Sequence, residues 1–267
     1  MIKQETLDNI KSWFENYLKN YQSSDPYYQQ NIDLKKDHTF RVCQEILNLA
    51  QSLSLDKKDL RLAETIALLH DIGRFEQYNR YATFSDTKSE DHAQLGIKII
   101  RQNHVLKKVD KPTSELILRT IAYHNRAVLP KKETERCLFF AKLLRDADKL
   151  DILYVVTNYY HRENKSQNKS LELDLPNIPK ISHEVYNDIM SGRFVRTSHI
   201  NTLNDFKILQ MAWIYDINFP RTFQLIRQRG YLEKIKDVLP QSDKTQRIYS
   251  TLKSYLDKKS NNFELVV

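Results

Sequence analysis

A chain of 267 residues with a formal net charge of +8 is long enough to bury a substantial core. Its four glycines, Gly73, Gly96, Gly192 and Gly230, are too scattered for a P-loop or a dinucleotide-binding turn, both of which need clustered glycines around phosphate. Basic pairs such as Lys57-Lys58, Lys107-Lys108, Lys131-Lys132 and Lys258-Lys259 are dispersed among acids, which argues against a nucleic-acid groove and leaves small anions as partners.

The first segment, MIKQETLDNIKSW, has no apolar stretch of signal-peptide length, and no later run approaches the ~20 apolar residues of a membrane span. A cytoplasmic chain with no membrane partner is therefore expected. An amphipathic pattern over 5–21 predicts an N-terminal helix that ends before the turn signal Asp25-Pro26. The 3.6-residue period then predicts helices at 37–54, 57–71, 90–104, 112–125 and 134–160. Ser89 is the expected cap of the third of these. Between Ile72 and Asp91 a long polar loop is expected, of a length that usually marks function. The stretch NKSQNKS over 164–170 reads as exposed loop, and Leu171, Leu173 and Leu175 alternate with polar residues as in a short extended piece. Helical periodicity resumes at 182–191, 201–217, 219–229 and 243–258, with Pro220 in a first turn. An all-α fold follows, divided into an N-terminal helical segment (1–30), a core (31–165) and a mostly helical C-terminal extension packed on it (166–267). Cys43 and Cys137 fall on internal faces as reduced thiols. Oligomerisation is left open.

Six polar residues lie on the apolar stripes of these helices. His38 leads Val42, Ile46, Leu49 and Leu53. His70 closes Ala63, Ile66 and Ala67, and Asp71 follows it. His92 begins Leu95 and Ile99, His124 ends Ile117 and Ile121, and Asp148 ends Cys137, Ala141 and Leu144. An inward-facing His or Asp without a partner costs several kcal/mol in desolvation. Imidazole and carboxylate together are the donors that Mn, Fe, Co, Ni or Zn prefer over Ca or Mg, so a buried metal site explains all six. Asp146 is a rival to Asp148, but it follows Lys142 by four residues, which suits an exposed ion pair.

In order these residues spell H…HD…H…H…D with spacings of 32, 21, 32 and 24. Over about Asn31 to His161 the sequence resembles the HD-domain superfamily of metal-dependent phosphohydrolases, an all-helical family. The resemblance is carried by LLHDIGRFEQ around His70 and Asp71, SEDHAQLG around His92, IAYHNR around His124 and RDADKLD around Asp148. It implies that His38, His70, Asp71 and Asp148 hold one metal, and it too favours Asp148 over Asp146. His92 and His124 imply a second metal bridged by Asp71, so one or two divalent transition-metal ions are expected, two favoured. Asp151, one turn beyond Asp148, is a candidate to support a ligand.

Arg74, Arg126, Arg145 and Lys149 flank the ligands and are the candidate contacts for a phosphate-containing substrate. With Asp71, Arg74 and Lys149 are the candidate catalytic residues. The resemblance implies a phosphohydrolase or phosphodiesterase acting on a nucleotide-like phosphate. Its alternatives are a di-iron oxygenase on the same ligands and a non-catalytic nucleotide-binding module. His104, His161, His183 and His199 stand in polar contexts and are expected at the surface.

Overall fold

Aspartates start four of the helices that carry the predicted stripes. In the computed structural model, which describes residues 2–162 and 168–261, Asp25 accepts from the backbone N–H of Tyr27 and Tyr28, and Asp56 from those of Lys58 and Asp59. Asp91 accepts from Ala93 and Gln94, and Asp110 from Thr113. Each side chain thereby satisfies an amide that the helix itself leaves unpaired. The cap of the third predicted helix is thus Asp91 and not Ser89.

The chain packs as two units, Met1–Asp151 and Ile152–Val267. The first holds α1 (Gln4–Leu18), α2 (Pro26–Ser52), α3 (Lys57–Leu69), α4 (Ile72–Tyr81), α5 (His92–Gln102), α6 (Lys111–His124) and most of α7 (Glu135–Tyr160). The second holds α8 (Lys169–Glu172), α9 (His183–Met190), α10 (Leu203–Ala212), α11 (Pro220–Gln228), α12 (Tyr231–Asp237) and α13 (Asp243–Asn261). Among the described residues there is no strand, and the fold is all-α.

Three departures from the sequence expectation have local causes. α2 begins at Pro26, eleven residues before the predicted start, because Asp25-Pro26 is a cap followed by a first-turn proline. The expected loop after Asp71 is helical over Ile72–Tyr81, where Ile72, Phe75 and Tyr78 form a buried stripe. Only 82–91 remains loop, entered through Ala82 in the left-handed region at φ 50. The alternating leucines do not extend: Leu171 lies in α8, and Leu173 and Asp174 are left-handed at φ 55 and 57.

Within the first unit the core is made of the predicted stripes. Val42, Ile46 and Leu49 of α2, Ala63, Ile66 and Ala67 of α3, Ile117 and Ile121 of α6, and Cys137, Ala141 and Leu144 of α7 are all buried, as is Cys43. α4 and α5 meet at glycines. A Cβ on Gly73 would stand 2.1 Å from the carbonyl oxygen of His92 and 2.7 Å from the amide nitrogen of Gly96. That absent methyl lets the start of α5 lie directly against the start of α4.

Candidate metal centre

The His-Asp pair sits at the joint between two helices. α3 ends at Leu69, and Asp71 (φ −104, ψ 15) stands at the N-cap position of α4. Both side chains are buried there. α2 delivers His38, the first turn of α5 delivers His92, the last turn of α6 delivers His124, and α7 delivers Asp148.

Asp71 lies between two pairs of imidazoles. Its Oδ2 is 3.5 Å from His38 Nε2 and 3.7 Å from His70 Nε2, and its Oδ1 is 3.3 Å from His92 Nε2 and 3.6 Å from His124 Nε2. Asp148 Oδ1 joins the first pair, 3.2 Å from His38 Nε2 and 3.9 Å from His70 Nε2. All six predicted residues are therefore together. The donor atoms of His38, His70 and Asp71 lie within 4.8 Å of one another, as do those of Asp71, His92 and His124. A third grouping, Asp86, Asp91 and His92, has its carboxylates committed: Asp91 caps α5, and Asp86 accepts from Arg74 and Gln77.

The outer nitrogen of every ring is tied. Nδ1 of His70 donates to the Ala67 carbonyl at 2.6 Å, and Nδ1 of His124 to the Ile121 carbonyl at 2.7 Å. Nδ1 of His38 meets Asp151 Oδ2 at 2.6 Å, and Nδ1 of His92 meets Asp86 Oδ2 at 2.7 Å. A carbonyl only accepts, so His70 and His124 carry their proton on Nδ1 and direct a lone pair inward from Nε2. The Nε2 atoms of His38 and His70 are buried without a hydrogen-bond partner. Nε2 of His92 and Nε2 of His124 face each other at 3.0 Å. Two inward lone pairs at that distance repel unless a cation or a proton lies between or beside them.

Electrostatics favour unprotonated ligands on balance. Burial holds the His70 imidazole down at about 4, against the pull of Asp71 and Asp148. Burial and then Arg74 lower His92. Burial works against ionised Asp71, but the Lys35 ammonium and the surrounding imidazoles outweigh it and keep the carboxyl well below its usual range. Asp148 is lowered too, the His38 imidazole beside it overcoming burial. His38 runs the other way. Burial and Lys35 oppose its protonation, yet Asp148 and Asp151 raise it.

The flanking basic residues occupy different places. Arg74 Nη1 donates to the Phe84 carbonyl (2.5 Å), Gln77 Oε1 (2.8 Å) and Asp86 Oδ1 (2.8 Å), and its Nε lies 3.6 Å from Asp71 Oδ1. Arg145 is buried and donates to the carbonyls of His124 and Arg126, bracing the chain just after α6. Lys149 is buried one turn further along α7. Arg126 is exposed, its guanidinium 5.0 Å from the Tyr123 ring centre. Asp146 is fully buried, contrary to the exposed pairing expected for it. His104, His161 and His183 are exposed, and His199 is partly so, paired with Asp188 at 2.7 Å.

Sequence reasoning missed Lys35, Arg41, Gln77 and Asp86. Lys35 stands three residues before His38 and Arg41 three after it, on the same helical face, so periodicity could have found both. Asp86 lies in a loop, where no period operates.

Comparison with protein-family models matches residues 36–153 to the HD domain. That segment is an HD domain. No curated protein and no solved structure gives a match. The HD segment contains all six clustered residues and Asp151, and the superfamily is one of metal-dependent phosphohydrolases. The residues of this HD domain suit a divalent transition metal on their own geometry. Buried Nε2 atoms beside carboxylates are a donor set that could hold a metal ion.

Proposed function

We propose that this chain is a metal-dependent phosphohydrolase or phosphodiesterase that cleaves a nucleotide-like phosphate ester with a metal-activated water. The observation that carries this reading is the division of Asp71: each of its two oxygens is faced by its own pair of Nε2 atoms. In this reading His38, His70, Asp148 and Asp71 would hold one ion, while His92, His124 and Asp71 would hold a second. When bound, such ions lower the pKa of a water to ~7 and neutralise charge that builds on the phosphoryl oxygens.

The chain's own residues fix the geometry. Asp151, itself gripped by Arg41 Nε at 2.5 Å, orients the His38 ring. Asp86, gripped by Arg74 and Gln77, orients His92. Arg74 is immobilised by three acceptors, so it supplies positive charge beside Asp71 with little reorganisation as the phosphoryl group becomes more negative. Lys149, next to Asp148 on α7, is the candidate for a second cation, and exposed Arg126, two residues past His124, is the candidate contact for a more distant part of the substrate.

Metal analysis of purified protein, followed by a phosphate-release screen across nucleotide classes with Mn, Fe, Co, Ni and Zn, tests the reading. Release is expected without oxygen and should be lost, with the metal, in Asp71→Ala. Full activity in Asp71→Ala would reject the mechanism. Turnover that requires both iron and oxygen would replace it with oxidation.

A further inference from the structure

The two sides of Asp71 are not equivalent. Lys35, one turn before His38 on α2, places its Nζ 2.7 Å from Asp71 Oδ2, the oxygen that His38 and His70 face. On the other oxygen the nearest cationic group is Arg74 Nε at 3.6 Å, and that guanidinium is held by three other acceptors. The Lys35 side chain is 17% exposed and Asp71 only 5%. Lys35 is therefore the more solvent-accessible member of the pair. Its Nζ also lies 5.4 Å from the centre of the Phe84 ring, an apolar face that tolerates a cation.

We propose that Lys35 is a displaceable internal cation that neutralises Asp71 Oδ2 in the metal-free protein and must leave that oxygen before an ion settles between His38, His70 and Asp148. The proposal rests on the metal-site reading above. It makes one half of the centre a competitive site: the ion there displaces an ammonium, and the ion between His92 and His124 does not. It also gives Lys35 a stabilising role only while the site is empty. A carboxylate buried without a counter-charge is costly, and Lys35 removes that cost until metal arrives.

The test is a titration of chelator-stripped protein with Mn²⁺ and, separately, Zn²⁺ by calorimetry, with melting curves of stripped and loaded forms. Lys35→Met keeps the stem and removes the charge, Lys35→Arg keeps a charge, and Lys35→Gln is the second neutral variant should Met impair folding. Both neutral variants should bind one ion about tenfold more tightly than the parent, the ratio expected for losing one partly buried charge pair, and Lys35→Arg should not. Stripped Lys35→Met should melt below the stripped parent, and the two loaded forms should melt together. Unchanged or weaker binding in folded neutral variants would overturn the proposal. A parent protein that binds neither ion would instead show that the underlying metal reading fails, and this one with it.

Discussion

Each imidazole of the centre has its outer nitrogen anchored, but the anchors differ in kind. His70 and His124 lean on carbonyls three residues earlier in their own helices, so their orientation comes with the helix. His38 and His92 depend on carboxylates from elsewhere, Asp151 and Asp86, each positioned by its own arginine, Arg41 or Arg74. Such partners fix the ring and raise the basicity of the coordinating nitrogen, and their loss weakens metal binding by about 10- to 100-fold. Asp151→Asn and Asp86→Asn should each weaken binding of one ion by that order, measured by competition with a chromophoric chelator. His161→Ala, at an exposed position, should leave affinity unchanged. Parental affinity in both Asn variants would mean that the carboxylates do not orient the ligands.

At the scale of helices, the position of His92 depends on an atom that is missing. Gly73 lies two residues after Asp71, and a Cβ there would collide with the His92 backbone at 2.1 Å, whereas a Cβ on Gly96 would meet nothing closer than Ile72 Cγ2 at 3.2 Å. Gly73→Ala should therefore push α5 away from α4 and cost about 2–4 kcal/mol, as overpacking at a rigid backbone contact does. Gly96→Ala should cost roughly 1 kcal/mol or less, since Ile72 Cγ2 at 3.2 Å and Gly73 N at 3.3 Å need yield only a few tenths of an ångström and alanine's better helix propensity offsets part of that strain. Denaturant unfolding midpoints with unchanged slope would measure both. A Gly73→Ala protein as stable as the parent would show that the α4–α5 contact is loose. The contrast also explains what the sequence revealed. His38, His70, His92, His124 and Asp148 were legible because each ends or begins an apolar stripe, and burial enforces such a period. Gly73 and Gly96 were visible only as scarce residues, because a close backbone approach leaves no periodic trace. Asp86 and Gln77 act through loop and long-range contacts, which spacing does not encode. α4 was hidden because its stripe of Ile72, Phe75 and Tyr78 is short and interrupted by Glu76, Gln77 and charged neighbours.

For the whole molecule, the centre links metal, protons and folding. His70 titrates at about 4 in the fold because of burial, and His92 is lowered for the same first reason, whereas an unfolded imidazole titrates near ~6.5. Between those values the unfolded chain binds more protons than the folded one, so these two groups make stability fall as pH falls from about 6.5 to about 4. His38, raised in the fold, opposes them, its contribution being present below about 6.5 and lost as pH rises through its folded value. His70, displaced from ~6.5 to about 4, carries a loss of stability toward acid. The lowered carboxyls of Asp71 and Asp148 add theirs only as pH drops below the unfolded carboxylate value near ~3.9. Bound metal sharpens the dependence, since it requires unprotonated imidazole and stabilises the fold by about 2.7 kcal/mol at a hundred times its dissociation constant. The melting temperature of chelator-stripped protein should therefore decline from pH 7 to pH 4.5. The gap between loaded and stripped protein, widest at pH 7 and above, should narrow as His38, the raised imidazole, takes up its proton, and collapse only as pH falls through about 4, where His70 protonates in the fold. A gap that persisted unchanged well below pH 4 would place the stabilising metal on carboxylates alone and remove the histidines from its coordination.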